Sequence, residues 1–104
     1  MNNHVNDHLY YKISDEIFCR IHREIYKKGS MLPSIIKMSK EMGCSPETIR
    51  KAIYILVENK VLIKSKNAFF VTNDILAIEV YKELYINRYK NVYLEAMKRL
   101  ERNQ

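Results

Sequence analysis

The stretch that most constrains this chain runs from Leu32-Pro33-Ser34 to Gly43-Cys44-Ser45-Pro46-Glu47-Thr48-Ile49-Arg50. Proline fixes its own φ and pushes the preceding residue out of the helical region, so Leu32 is extended. Ser34 then suits an N-cap, and Ile35 to Met42 reads as a short helix with Ile35, Met38 and Met42 on one face. Gly43 permits a sharp turn. Ser45 caps a third helix and Pro46 takes its first position, where a missing N–H costs nothing. Ile49, Ala52, Ile53, Leu56 and Val57 make the inner stripe of that helix, leaving Glu47, Thr48, Arg50, Lys51 and Tyr54 on its other faces. A helix, a tight turn and a second helix with a polar outer face form the arrangement that seats one helix in a DNA major groove.

The flanks fit the same plan. Ile13, Ile17, Ile21 and Ile25 recur every fourth residue, predicting a helix from Tyr10 to Tyr26, with Tyr10 and Phe18 widening its apolar face and Lys27-Lys28-Gly29 closing it. After the third helix, Val61–Lys64 and Ala68–Val71 read as two strands around Ser65-Lys66-Asn67, a hairpin. Asn73 or Asp74 caps a last helix reaching about Leu100, read as one long helix in preference to two broken near Asn87-Arg88. Within it Ile78, Tyr81, Tyr85, Tyr89, Val92, Ala96 and Leu100 form a heptad-like seam, while other apolar residues lie outside that seam. Such a helix can pack on its own domain with one face and on a second copy with another. The expected fold class is mainly α with a small β-hairpin: a winged helix-turn-helix plus a C-terminal dimerisation helix. Residues 1–9 are expected to be a flexible N-terminus, 10–72 the DNA-binding domain and 73–104 the helical dimerisation region.

Charge follows the same division. The net charge is +6, and Ser34 to Lys66 carries seven Lys/Arg against three Glu, whereas Met1 to Pro33 has five cations against four carboxylates. Binding to phosphates draws on such a concentration. Other classes find little support. No run of about 18 apolar residues suggests a membrane span. The N-terminal residues lack the apolar segment of a secretory signal, and the expected location is cytoplasmic. Cys19 and Cys44 lack metal-ligand spacing and read as buried free thiols. His4 and His8 have the spacing of two ligands on one helix turn, but no third ligand is near, so no metal is expected. A Gly-rich phosphate loop, a nucleophile elbow and a pair of carboxylates on an apolar background are all missing, which argues against an enzyme and against a cofactor.

Leu32, Pro33, Ser34, Met38, Gly43, Ser45, Thr48, Ile49, Arg50, Phe70 and Val71, in this order, resemble the winged helix-turn-helix of the GntR family of bacterial transcription regulators. The short helical tail is similar to that of the YtrA subfamily, whose members dimerise through a small helical region. Four positions depart from the family pattern: Ile36 and Pro46 stand where arginines are usual, and Lys66 and Ala68 occupy the two wing glycine positions. The resemblance implies a DNA-binding transcription regulator, a bacterial repressor that binds a near-palindromic operator as a homodimer. Together with the chemistry and placement of the residues themselves, it makes Ser34, Lys37, Ser45, Glu47, Thr48, Arg50, Lys51, Tyr54, Lys64, Lys66 and Asn67 the candidate contacts to double-stranded DNA, with Lys40 a further phosphate contact. The seam would pair two copies through the C-terminal helices. Its tyrosines are read first as a dimer interface and alternatively as a pocket for a small aromatic effector. The competing function is a winged-helix protein-binding adaptor or antirepressor that has lost specific DNA binding.

Overall fold

The computed structural model describes residues 4–102, with side chains from Leu9 onward. Six elements follow one another: α1 (His4–His22), α2 (Ile35–Met42), α3 (Pro46–Glu58), β1 (Leu62–Ser65), β2 (Ala68–Val71) and α4 (Ile75–Arg102). The fold is mainly helical with one hairpin, as the sequence indicates.

The helix-turn-helix forms by the local rules read above. Ser34 accepts a hydrogen bond from the Lys37 backbone N–H, and Ser45 does the same for Thr48, so each helix begins with one of its orphan donors satisfied. Gly43 closes α2 in the left-handed region, at φ +67, and its N–H returns to the Ser39 carbonyl. In the hairpin, Leu62 pairs with Val71, Ile63 with Phe70, Lys64 with Phe69 and Ser65 with Ala68. Only Lys66 and Asn67 remain for the turn, one residue fewer than expected, and Lys66 takes a left-handed φ of 52°.

A third extended segment completes the wing. The Gly29 N–H donates to the Val71 carbonyl at 2.9 Å and the Leu32 N–H to the Phe69 carbonyl at 2.8 Å. Met31 bridges Phe70 in antiparallel fashion. The run before Leu32-Pro33 thus pairs with the free edge of β2, which removes an exposed strand edge.

The first helix differs from the expectation at both ends. Its backbone is helical from His4, ahead of Tyr10, although residues 1–3 of the segment expected to be flexible lie outside the described residues. It closes at His22, not Tyr26, because Glu24 adopts φ +63 and the N–H groups of Ile25 and Tyr26 both return to the Arg20 carbonyl. Glu24 therefore does the terminating work assigned to Gly29. One consequence is an exchange of neighbours: Ile25 leaves the apolar stripe and is 59% exposed, while Tyr26 is buried. The Tyr26 hydroxyl accepts a hydrogen bond from Arg20 at 2.9 Å.

The core joins α1 to α3. Ile13, Ile17, Phe18 and Ile21 bury against Ile49, Ala52, Ile53 and Leu56, with Met38, Leu32, Val61, Leu62 and Val71 closing the sides. Each fully buried aliphatic side chain stabilises by about 1.5–3 kcal/mol. Asp74 accepts from the Leu76 N–H and starts α4, which runs unbroken through Asn87 and Arg88. Its first half docks on α1: the Tyr81 ring lies 4.8 Å from Phe18 and the Tyr85 ring 5.8 Å.

An ion pair not foreseen from the sequence fixes that docking. Asp15, only 8% exposed, accepts from Arg88, and the Tyr81 hydroxyl approaches both groups. The Arg88 guanidinium lies between two rings, with centroids of Tyr11 at 5.5 Å and Tyr81 at 5.6 Å. Burial raises the Asp15 pKa above its ordinary value, and the charge and hydrogen bond of Arg88 pull against that rise.

Two outcomes are expected. Replacing Arg88 by Met leaves a buried carboxylate without its cation, and we expect a loss of about 1–3 kcal/mol in urea melts at neutral pH. Because Asp15 already binds its proton more tightly in the folded state, the stability linked to its protonation is present at low pH and is lost as pH rises through its native pKa. The Arg88→Met deficit should therefore shrink on acidification. At Gly29, φ is +77 and an added Cβ would sit 2.9 Å from the Asn73 side-chain oxygen. Gly29→Ala should cost about 1–2 kcal/mol, read as a lower melting temperature.

Candidate nucleic-acid interface

Since Ile49, Ala52, Ile53 and Leu56 are wholly buried, the helical period turns Glu47, Arg50, Lys51 and Tyr54 outward from α3. The Arg50 guanidinium pairs with Glu47 at 3.0 Å, and both side chains are well exposed. Such an exposed pair contributes little to stability and yields readily to a stronger anion. Lys51 donates to the Tyr10 hydroxyl at 3.1 Å and lies 4.9 Å from that ring's centroid. Tyr10, which the sequence places only in a core stripe, thus reaches the outer rim of α3; its hydroxyl was the one signal available.

The wing comes next to this surface. Lys64 on β1 donates to the Tyr54 hydroxyl at 3.1 Å, and Tyr54 meets Phe69 of β2 edge to face at 5.8 Å. Lys66 and Asn67 are exposed at the tip. Lys37 and Lys40 lie exposed on α2, and Ser34 caps that helix. Ser45 is exposed at the start of α3. Thr48 behaves differently from the expectation. It is buried, and its hydroxyl lies 2.9 Å from that of Ser45, so the two satisfy each other within the cap. Ile36, at a position where the family pattern leads one to look for arginine, is exposed and apolar.

The seam on α4 is divided in two. Ile78 and Tyr81 are buried in their own domain and Tyr85 is half-buried against the same core, its hydroxyl 3.3 Å from the Cys19 sulfur. That hydrogen bond, with burial, pushes the Tyr85 pKa up. Tyr89, Val92, Ala96 and Leu100 are exposed, as are Tyr93, Leu94 and Met97 beside them. The helical repeat is therefore divided: the domain takes the first three residues and leaves the last four exposed. An open groove of about 530 Å³ lies where α1 and α4 diverge, between Tyr11 and Asp15 on one side and Tyr89 and Val92 on the other.

Both cysteines are free and half-buried, and burial raises the Cys44 pKa. Among the described residues no group of three or more His, Cys, Asp or Glu is placed to hold a metal. The His4 and His8 pair lies outside the described side chains. No described helix is long and apolar enough to cross a membrane.

Known proteins share this architecture. A GntR family transcriptional regulator from Listeria monocytogenes superposes with a TM-score of 0.73 at 22% identity, over 88% of this chain and 82% of that one. BusR of S. agalactiae, solved with its busA-promotor DNA, gives a TM-score of 0.70 at 27% identity, over 86% of this chain and 46% of that one. YtrA from Sulfolobus acidocaldarius, a GntR-family transcription factor, gives 0.57 at 24% identity, over 83% and 88% of the two chains. The first and third of these likenesses speak to the fold alone. No curated protein matches the chain. The family model for the gntR family of bacterial regulatory proteins matches residues 9–71, from the first helix to the end of the wing. With the helix-turn-helix, its wing and that match together, the chain belongs to the gntR family and is a DNA-binding transcription regulator rather than an enzyme.

Proposed function

We propose that this regulator is a repressor that binds a near-palindromic operator as a homodimer. The observation that carries the reading is the continuous basic surface made by the outer face of α3 and the wing, where Tyr54 joins Lys64 to the third helix. In this reading α3 enters the major groove. Arg50 exchanges Glu47 for a guanine edge or a phosphate, guanidinium being the group that bonds either in a bidentate fork. Ser45 presents the first turn of α3, where the helix dipole favours a phosphate. Thr48 acts through the cap, not through its own contact. Lys37, Lys51 and Lys64 contact the backbone, and Lys66 and Asn67 bring the wing tip to the adjacent groove.

The homodimer is supported by the free half of α4. A helical segment of this length is marginal by itself in water, and it carries Tyr89, Val92, Tyr93, Met97 and Leu100 exposed. A second copy would cover them, and two-fold pairing would set two α3 helices about one DNA turn apart, roughly 34 Å. Of the seam, Tyr89, Val92, Ala96 and Leu100 meet the second copy in this reading, and Ile78, Tyr81 and Tyr85 support them from inside the protomer. An effector is not needed for any of these roles.

Two experiments test the reading. Selection from a random duplex library at about physiological salt should enrich an inverted repeat with the wild type and not with Arg50→Ala; an intact dimer that enriches nothing would favour the adaptor function, with exposed Ile36 at its centre. Placing charges on the free half of α4, as Val92→Glu with Leu100→Glu, should leave the domain folded. We expect sedimentation to show monomers and the affinity for the selected repeat to fall by about 100-fold, as the second half-site stops contributing.

A further inference from the structure

The wing and the third helix are joined by one aromatic residue, and the join ends on a cation. Tyr54 projects from α3 over the cross-strand pair Lys64 and Phe69. It meets the Phe69 ring edge to face, at 5.8 Å and 89°, which fixes the tyrosine ring. Its hydroxyl accepts from the Lys64 ammonium at 3.1 Å, and that ammonium lies 5.7 Å from the ring centroid, at the hydroxyl end. A lysine ammonium has three N–H groups, so one is spent on Tyr54 and two remain for an anion. On the opposite rim of α3, Lys51 stands at a like distance from Tyr10, a residue of α1.

We propose that Tyr54 is a positioning residue, which holds the Lys64 ammonium against the outer face of α3 so that wing and helix offer their cations to the DNA backbone as one rigid unit. The proposal rests on the DNA-binding role given above and assigns Tyr54 a part in it other than touching DNA. Lysine is a flexible point charge that loses rotamer freedom whenever it is fixed on a phosphate. Tyr54 imposes that loss during folding, so it is not charged against binding. The tie also sets the angle between hairpin and helix. Here it does so without the two wing glycines of related sequences, whose places are taken by Lys66 and Ala68.

A double-mutant cycle on the full-length protein separates positioning from direct contact. The probe is a labelled random-sequence duplex of about 30 base pairs at about 50 mM salt, because the interaction with phosphates is independent of sequence. Lys64→Met should weaken binding about tenfold and lower the slope of log K against log salt by about one. Tyr54→Phe, which keeps the ring against Phe69, should weaken it about threefold in the wild type but by less than about 1.5-fold when Lys64→Met is already present. Equal losses in both backgrounds would mean that Tyr54 acts on DNA by itself, and would overturn the proposal. So would an absence of loss on Tyr54→Phe.

A measurement without any variant guards against effects on folding. Side-chain NMR of the DNA-free protein should find the Lys64 ammonium more ordered than that of Lys66, which has no such partner among the described residues. Equal mobility would overturn the proposal. Failure of the wild type to bind the duplex at all would instead overturn the DNA-binding role, and this inference with it.

Discussion

Burial of one stripe of α3 governs the rest of this molecule. Ile49, Ala52, Ile53 and Leu56 lose all contact with water against α1 and α2, and a helix with one face so committed has no freedom to rotate. Its remaining faces are then determined by the helical period alone. Arg50, Lys51 and Tyr54 stand outward because their neighbours stand inward, and the hairpin that follows lies within reach of Tyr54. The apolar packing therefore aims the polar chemistry of α3.

What the sequence made legible was chiefly local. The bounds of α2 and the start of α3 are written in Ser34, Gly43, Ser45 and Pro46, residues whose preferences act within a single turn. The inner stripe of α3 was readable for the same reason. The end of α1 was not, because its signal competes with two others. Ile25 continues a four-residue repeat and Gly29 is a natural terminator, yet Glu24 takes the left-handed conformation and Tyr26 gains burial and a hydrogen bond. Thr48 shows the same limit at the site. Its position in the first turn suits a phosphate contact, but whether its hydroxyl faces outward depends on its partner, Ser45, and on the packing beneath.

Long-range pairings lay further from view. Asp15 and Arg88 are 73 residues apart, and each looks in sequence like one more surface charge. Only their enclosure by Tyr11 and Tyr81 turns them into a joint between the domain and its last helix. The heptad-like seam poses a subtler difficulty. A repeat records that one side of a helix is apolar and is silent on which neighbour covers each part. Here the repeat passes from an intramolecular partner to open solvent between Tyr85 and Tyr89, with the two rings still in contact at 4.8 Å.

The turn at Lys66 carries a consequence for the free protein. A residue with a β-carbon in the left-handed region costs about 1 kcal/mol relative to glycine, yet it also narrows the set of shapes open to the unfolded chain. A glycine tip is pliable and takes its final form when something grips it. This tip is bent in advance, with its charge already at the apex, so the hairpin resembles a sprung finger more than a hinge. The hairpin thereby gives up conformational freedom that a glycine tip would keep.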